Sequence, residues 1–264
     1  MKEQTDTRLD PQGASRIYIG TAGWSIPRAS AYRFTVGGTH LERYARAFNA
    51  TEINSSFYRG HAHATYARWA ESSPSGFRFA VKVPRTITHE QKLRRARVPL
   101  ARFLEQIAGL GSRCGPLLVQ LPPSLAFEAR VARMFLDMVR AQYEGAVVCE
   151  PRHPTWFDER VDALLARYAI GRVAADPSPA PGGELPGGWD GIAYFRLHGS
   201  PRKYWSRYDT PYVMSLADEL KRRSKAAEVW CTFDNTASGA AIENAWELSQ
   251  RMSKGCADVR GSGA

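Results

Sequence analysis

Short stretches rich in β-branched and aromatic residues recur along the chain, and most are separated by apolar residues at three-to-four spacing. The stretches predict β-strands, and the spacing between them predicts amphipathic helices. Strands that alternate with helices favour a parallel sheet covered by helices, and eight such units suit a closed barrel. The eight predicted strands are Ile17–Trp24, Thr51–Tyr58, Phe77–Pro84, Pro116–Pro122, Ala146–His153, Gly171–Pro177, Gly191–His198 and Glu228–Asn235.

One connection lacks the helical pattern. The stretch from Pro177 to Gly188, between the sixth and seventh strands, is dominated by Pro and Gly, which do not support a regular helix. We therefore predict an α/β fold of the TIM-like (β/α)8 barrel type in which a loop near the pocket mouth replaces the sixth helix. Residues 16–254 form the predicted single domain, and residues 1–15 and 255–264 are expected to be a disordered lead-in and tail.

The order of polar and apolar residues within each strand predicts where side chains point. In a barrel, alternate strand residues face the lumen and the others pack under the helices. We assign the apolar parity to the helices and the polar parity to the lumen. In the third strand, Val81 then faces the helices and Lys82 the lumen. In the sixth strand, Arg172 and Asp176 face the lumen and Val173 faces the helices.

The lumen-facing polar residues fall into a deep group and an upper group. Glu52, Arg78 and Arg172 lie near strand starts and are expected to be paired, because an isolated buried charge is costly. The upper group lies at the C-terminal strand ends, where barrel enzymes place their chemistry. Its members are Trp24, Asn54, Lys82, Gln120, Glu150, Arg152, Asp176, Arg196, His198, Asp234 and Asn235.

The chain has a formal net charge of +10, much of it in residues 92–102, 202–207 and 221–225. We interpret the first and third segments as solvated surface. A basic surface still attracts anions and can hold nucleic acid.

The four cysteines are widely spaced without a CxxC pair, which indicates reduced thiols and a cytoplasmic location. No apolar run approaches the roughly 20 residues of a membrane span, so no membrane partner is expected.

Several local motifs follow one another across residues 17 to 250. They are Gly20-Thr-Ala-Gly-Trp24, Glu52-Ile-Asn-Ser-Ser-Phe-Tyr58, Phe79-Ala-Val-Lys-Val-Pro84 with Ile87-Thr-His89, Gly115-Pro-Leu-Leu-Val-Gln-Leu-Pro-Pro123, Glu150-Pro-Arg-His-Pro-Thr-Trp156, Tyr194-Phe-Arg-Leu-His-Gly199, and Phe233-Asp-Asn235 with Asn244-Ala245. In this order they resemble the family of domain of unknown function 72 (DUF72), also called YecE-like. The resemblance implies a β/α barrel with a pocket at these motifs, and no established reaction. After Trp24 the chain reads Ser-Ile-Pro-Arg, which departs from the family pattern, so the rim near the first strand is expected to differ.

The charges of the upper group favour an anionic ligand. Lys82, Arg152 and Arg196 supply three fixed positive charges, and arginine presents a planar fork that suits phosphate or carboxylate. His198 is the preferred acid–base group because its ordinary pKa lies near neutrality, and Glu150 is its preferred partner. Asp176 and Asp234 are the further acid–base candidates.

The remaining candidates would position a substrate. Trp24, Tyr58 and Tyr204 offer stacking surfaces for a ring, and Asn54, Gln120 and Asn235 offer hydrogen bonds. Ser238, at the start of the last helix, would either hold a phosphate with free backbone N–H groups or simply cap the helix.

The leading hypothesis is an enzyme that needs no cofactor and uses acid–base chemistry on a small anionic substrate, such as a phosphorylated or acidic sugar. Hydrolysis, isomerisation and lyase reactions stay open. Nucleic-acid binding or processing is one alternative, and a non-catalytic sensor that captures an anion is another. A divalent metal is a lesser alternative, because no HxH or HExxH spacing arranges the ligand-type residues. Those residues are Glu150, His153, Asp176, His198 and Asp234.

Overall fold

The computed structural model describes residues 17–257, with side chains through residue 253. The strands are β1 (Ile17–Thr21), β2 (Ala50–Ile53), β3 (Arg78–Lys82), β4 (Cys114–Gln120), β5 (Val147–Glu150), β6 (Ile170–Arg172), β7 (Ala174–Asp176), β8 (Gly187–Gly188), β9 (Ile192–Leu197) and β10 (Glu228–Phe233). The helices are α1 (His40–Ala45), α2 (Ser55–Tyr58), α3 (His63–Glu71), α4 (Arg97–Ile107), α5 (Ala129–Gln142), α6 (Glu159–Arg167), α7 (Thr210–Arg223) and α8 (Ala240–Ala257). The predicted lead-in lies outside the described residues, as does most of the predicted tail, and α8 extends past residue 254.

The strands are hydrogen-bonded as two sheets. One sheet has the order β2-β3-β4-β5-β6-β8, and the other has the order β1-β10-β9-β7. The strand pairs are parallel except for β6 with β8, which is antiparallel. These sheets confirm a mixed α/β fold. Between residues 17 and 257, however, the strand ladders do not close into the single barrel that the sequence predicts.

The two sheets adjoin at two seams. At the first seam, Ala22 forms an isolated parallel bridge with Glu52, and the Gly23 N–H donates to the Glu52 carbonyl at 2.8 Å. At the second seam the chain itself passes from β6 in one sheet to β7 in the other, and the Val173 N–H donates to the Cys149 carbonyl at 2.8 Å. The C-terminal ends of strands from both sheets therefore lie side by side.

The connection between β7 and β9 is the loop that the Pro and Gly content predicts. In the described structure it contains no helix, only the two-residue strand β8. The starts of α1, α6 and α7 follow local signals, because a Thr or Asp side chain caps each of them. Before α1, Thr39 Oγ1 accepts from the Glu42 N–H at 3.2 Å and the Glu42 carboxylate accepts from the Thr39 N–H at 2.6 Å, which is a capping box. Among the described helices, none combines the length and the apolar character that crossing a membrane requires.

Apolar residues pack in two layers. The larger layer fills the space between strands and helices and includes Val81, as the parity predicts. A smaller layer lies on the other face of the strands. It comprises Ala50, Ala80, Leu118, Val148, Val173, Ile192, Tyr194 and Trp230. Because this inner layer occupies the strand starts, charged side chains of the same parity meet one layer higher, at the strand ends.

The orientation predicted for the sixth strand is wrong. Val173 belongs to the inner layer, whereas Arg172 points to the helices and donates from Nε to Asp162 Oδ1 of α6 at 2.7 Å. Asp176 also faces outward, where its Oδ1 accepts from the Tyr208 hydroxyl at 2.8 Å. Ala174 and Ala175 lie on opposite faces of this strand, so the two faces differ little in polarity. The ion pair between Arg172 and Asp162 of α6 then fixes the orientation of the strand.

Candidate functional site

Arg196 occupies the centre of a buried polar cluster formed by the ends of β2, β5, β9 and β10. Its guanidinium is fully buried and donates hydrogen bonds to three carboxylates. Nε and Nη2 bind Glu52 at 2.9 and 2.6 Å, Nη1 binds Glu150 at 2.8 Å, and Nη2 also binds Asp234 at 3.0 Å. Burial alone would lower the pKa of Arg196, but the three carboxylates raise it well above its ordinary value. Arg196 is therefore a permanent internal cation and not a free ligand for a substrate.

The lower side of the cluster is closed by neutral hydroxyl groups. The Tyr194 hydroxyl donates to Glu52 Oε2 at 2.9 Å and contacts Thr232 Oγ1 at 3.1 Å. Of the three deep charges that the sequence predicts, Glu52 joins this cluster. Arg78 lies at the start of β3 and donates to the backbone carbonyl of Ser75 at 2.9 Å instead, because the preceding turn brings that carbonyl within reach.

The His198 ring lies between two carboxylates. Its Nδ1 is 3.0 Å from Asp234 Oδ2, and its Nε2 is 3.0 Å from Glu150 Oε1. Nε2 also contacts Arg152 Nη2. A protonated Nε2 donates to Glu150, whereas an unprotonated Nε2 accepts from Arg152. The site thus provides a hydrogen-bond partner for Nε2 whether or not that atom carries a proton.

The carboxylates beside His198 are held in their charged form. Burial alone would raise the pKa of Glu150, but the charges of Arg152 and Arg196 hold it well below its ordinary value. Burial also opposes ionisation of Asp234, and the Arg196 charge together with the His198 hydrogen bond lowers its pKa. At neutral pH both side chains therefore accept hydrogen bonds and do not donate them.

Lys82, at the end of β3, faces the same cluster without joining its ion pairs. Its Nζ lies 4.2 Å from the centre of the Phe57 ring, and the residue is 8% exposed. Burial, reinforced by the charge of Arg196, lowers the pKa of Lys82 to about 8. Formally, Glu52, Glu150 and Asp234 balance Arg152, Arg196 and Lys82. The excess of positive charge that the sequence suggests is therefore largely neutralised inside the site.

The rim of the site comes from the segment after β9. Tyr204 packs edge-on against His198, with 5.5 Å between the ring centres, and Lys203 Nζ lies 5.2 Å from the Tyr204 ring. Partial burial, together with the charge of Arg152, lowers the pKa of Lys203. Asn235 fastens this segment, because its Nδ2 donates to the Ser206 carbonyl at 2.8 Å and to Asn244 Oδ1 at 3.0 Å. The segment therefore has a defined position above His198.

The structure brings most of the predicted acid–base and charged residues together. Glu150, Arg152, Arg196, His198 and Asp234 form one hydrogen-bonded network, and Lys82 faces it. Gln120 lies next to Glu150 in the register of β4 and β5 and is half-buried. Asn54 follows β2, and its Oδ1 is buried without a hydrogen bond to the described residues.

Four predicted residues lie apart from the network. Asp176 faces Tyr208, as described above. Trp24 packs against Trp69 of α3 with 5.0 Å between ring centres, because Gly23 has a φ of 76° and breaks the alternation of the strand. Tyr58 is 72% exposed, because the chain enters α2 after Ile53 and follows helical spacing there. The fourth is Ser238.

The predicted phosphate cradle at Ser238 is already filled by internal hydrogen bonds. The Ser238 hydroxyl donates to the Trp205 carbonyl, and its oxygen accepts weakly from the Ala240 N–H at 3.4 Å. The N–H groups of Gly239 and Ala241 donate to backbone carbonyls of residues 236 and 235. The geometry therefore agrees with the alternative in which this turn caps the helix.

Sequence reasoning missed two residues of the site. Phe57 has the parity of the outer face, but α2 turns it toward Lys82. Lys203 belongs to a basic segment and shows no pattern of its own. The helical spacing that starts at Ser55 is the signal that would have found Phe57. The structure describes no group of three or more His, Cys, Asp or Glu side chains placed to hold a metal ion.

The fold and the site together define a class: a mixed α/β protein with a buried charge network at the ends of its parallel strands. A family model described as "Protein of unknown function DUF72" matches residues 18–262. The chain belongs to the DUF72 family, as its motifs predict.

Two curated relatives agree with this assignment. UPF0759 protein YecE of Escherichia coli K12 is 32% identical over 169 residues, which cover 62% of this chain and 60% of YecE. The chain thus spans about 60% of the length of that relative. UPF0759 protein YunF of Bacillus subtilis 168 is 22% identical over 272 residues, covering 89% of this chain and 94% of YunF.

Solved structures of the same family share the fold. A DUF72 family protein from Enterococcus faecalis V583 superimposes with a TM-score of 0.77 at 20% identity, over 90% of this chain and 95% of its own. A DUF72 family protein from Thermotoga maritima superimposes with a TM-score of 0.74 at 23% identity, over 90% of this chain and 99% of its own. At these identities the likeness concerns the fold alone.

Proposed function

We propose that this protein is an enzyme that performs acid–base chemistry on a small anionic substrate above the Arg196 network. The observation that carries the proposal is the His198 ring, whose two nitrogens each lie 3.0 Å from an ionised carboxylate inside a buried network. Such a network is costly to bury for packing alone. Perturbed ionisable groups that converge at strand ends are typical of active sites.

The different solvent exposure of the network side chains suggests which of them meets the substrate. Glu150 and His198 are fully buried, whereas the Asp234 side chain is 12% exposed. Asp234 is therefore the carboxylate that meets the substrate, and it exchanges a proton with the substrate. His198 takes up or releases the compensating proton through the Nδ1 contact with Asp234. Glu150 and Arg152 hold the ring in place, and one or the other is a hydrogen-bond partner for Nε2 when that atom gains or loses its proton.

The rim supplies the charge for an anion. Lys82 and Lys203 have no ion pair among the residues that the structure describes, while Arg152 is paired with Glu150. Lys82 and Lys203 each interact electrostatically with Asp234. A carboxylate or phosphate bound there would neutralise the rim and strengthen the contact in a partly desolvated site.

The same proposal includes a closed barrel. We infer that the two sheets are the halves of one (β/α)8 barrel, with the network at its C-terminal mouth. The inference is supported by the Ala22–Glu52 bridge at one seam and by the continuous chain through Val173 at the other. An experimental structure of the full chain, with continuous strand pairing at both seams, is the expected result. Water-filled gaps at the seams would contradict it.

A metabolite screen tests the enzyme. The purified chain is incubated with a small-molecule cell extract, and substrate loss and product gain are followed by mass spectrometry. We expect consumption of an anionic compound by the wild type and loss of that activity in Asp234→Asn. The matched control, Arg94→Gln, alters an exposed ion pair with Glu128 that is not part of the network, and it should keep activity. If an anion stabilised the protein without any turnover, the enzyme proposal would be wrong and the alternative of a non-catalytic anion sensor would take its place.

A second candidate function, nucleic-acid binding, is favoured by one surface. Exposed basic residues follow β3 next to a cleft of about 510 Å³ that is lined by Tyr58, Arg59 and Arg102 among others. The exposed cations of that segment are Lys92, Arg94, Arg95, Arg97 and Arg102. Fluorescence anisotropy with a labelled single-stranded oligonucleotide tests it. Affinity that falls steeply with salt and weakens in Arg97→Gln would support this function, and no binding at low salt would remove it.

A further inference from the structure

Lys82 differs from the other buried charges of the described chain. Glu52, Glu150, Arg152, Arg172, Arg196 and Asp234 all have an oppositely charged partner within hydrogen-bond distance. The Lys82 ammonium has neither an ion pair nor a hydrogen bond to the residues that the structure describes. The carboxylates of Glu52, Glu150 and Asp234 attract Lys82 electrostatically, and each is already hydrogen-bonded to Arg196. Lys82 thus differs from Arg152, Arg172 and Arg196, each of which is paired with a carboxylate.

The surroundings of Lys82 favour its neutral form. The Phe57 ring lies face-on to Nζ at 4.2 Å, a cation–π contact that is weaker than an ion pair. Burial is the larger cause of the lowered pKa of about 8, and the neighbouring Arg196 charge adds to it. Roughly a tenth of the amine is therefore neutral at pH 7, compared with less than a thousandth for an exposed lysine. Only the neutral amine has a lone pair to donate.

We propose that Lys82 Nζ is a nucleophile that forms an imine with the carbonyl group of an anionic aldehyde or ketone. The proposal deepens the proposed function and rests on it, because it names the substrate class of the same site. Lys203 of the rim, together with Arg152 of the network, would hold the acidic group of the substrate. Its carbonyl would then lie between Lys82 and the exposed edge of Asp234.

The step balances without a cofactor. The Nζ lone pair adds to the carbonyl carbon, and the carbonyl π electrons move to the oxygen, which takes up a proton. The nitrogen then loses a proton, a second proton reaches the hydroxyl group, and water leaves as the C=N bond forms. Asp234 and His198 pass these protons. The imine withdraws electrons from the neighbouring carbon, which suits the isomerisation and lyase reactions that the sequence leaves open.

Reductive trapping tests the proposal. The full-length wild type is incubated at pH 7 with glyoxylate, an aldehyde that carries a carboxylate, and with sodium cyanoborohydride. Reduction fixes any imine as a carboxymethyl-lysine, and peptide mass spectrometry measures the rate at each lysine. We expect Lys82 to be modified at least about tenfold faster than the exposed Lys225. The Lys82 rate should level off above about pH 8, because the amine is then mostly neutral.

A matched variant checks the site of labelling. Lys82→Arg keeps the charge but removes the nucleophile, so the fast phase should vanish while labelling of Lys225 is unchanged. Equal rates at Lys82 and Lys225 in the wild type, or a fast phase at Lys203, would overturn the proposal. These outcomes leave the proposed function standing, because that function is rejected only by the absence of turnover in the metabolite screen.

Discussion

Arg196 and Lys82 are two buried cations at the C-terminal ends of strands, and their surroundings shift their pKa values in opposite directions. Arg196 is enclosed by three carboxylates, and its pKa is raised. Lys82 lies against the Phe57 ring without an ion pair, and its pKa is lowered to about 8. The difference indicates that Arg196 holds the network together, whereas Lys82 is kept available for a ligand. Substitutions that separate stability from chemistry test this contrast.

Arg196→Met should have the largest effect. The change removes the cation while Glu52, Glu150 and Asp234 stay close together in a buried space. Leaving such charges uncompensated costs about 3–5 kcal/mol. We expect that loss in the free energy of unfolding, measured with urea at pH 7. The control is Arg94→Met, in which the exposed Arg94–Glu128 pair is broken and the loss should stay below about 1 kcal/mol. Similar losses in the two variants would refute the central role of Arg196.

Glu150→Gln should come next. The amide keeps the shape of the side chain but weakens its hydrogen bonds to Arg152, Arg196 and His198, so we expect a loss of about 2–3 kcal/mol at pH 7. The pKa of Glu150 is lowered in the folded protein, so its contribution is fully present above its unfolded pKa and is lost as the pH falls through the folded value. The difference from wild type should therefore narrow in acid. Urea titrations at pH 7 and at acidic pH measure it.

A difference that stayed constant on acidification would contradict the lowered pKa of Glu150. Glu90→Gln provides the comparison, because Glu90 is about half exposed in its pair with Arg85. Its effect should be below about 1 kcal/mol at both pH values.

The network could be predicted from the sequence where polar and apolar residues alternate regularly along a strand. Arg196 in β9, His198 directly after β9, and Asp234 after β10 follow the polar parity and meet as expected. The prediction failed where a local feature interrupts alternation. Gly23 redirects Trp24, and the helical turn after Ile53 exposes Tyr58.

Two other features could not be predicted, because they depend on long-range partners. Arg172 turns outward because α6 offers Asp162, and no property of its own strand reveals that carboxylate. Likewise the parity placed Lys82 inside the site, but its lack of an ion pair follows from how three distant segments share the carboxylates. Strand parity therefore predicts which side chains converge. It does not predict which of the converging charges are left unpaired.

Lys82→Met should change stability in the opposite direction. The folded pKa of about 8 lies below the ordinary value of 10.5, so the charged amine destabilises the folded state at pH 7. This penalty is fully present below about pH 8 and is relieved as the pH rises toward 10.5, because the unfolded state binds more protons in that window. We expect the variant to gain about 1–2 kcal/mol at pH 7 in urea unfolding and less at pH 10.

Lys225→Met, an exposed change, should alter stability by less than about 0.5 kcal/mol. A loss of stability in Lys82→Met at pH 7 would mean that Lys82 has a structural partner, and the contrast with Arg196 would fail.

Tyr58→Ala should have the smallest effect, and it sharpens the boundary of the site. The Tyr58 side chain is 72% exposed and makes an edge contact with Phe57, whose ring lies against Lys82. Because Phe57 itself is buried, we expect less than about 0.5 kcal/mol change in unfolding and an unchanged rate of glyoxylate labelling at Lys82. Phe57→Leu is the informative partner variant: it removes the cation–π contact that stabilises the ammonium but keeps an apolar side chain, so that labelling should not slow. A slower labelling rate in Tyr58→Ala alone would mean that the site extends to the cleft lined by Tyr58, Arg59 and Arg102. Tyr58 would then bind the ligand, as the sequence predicts.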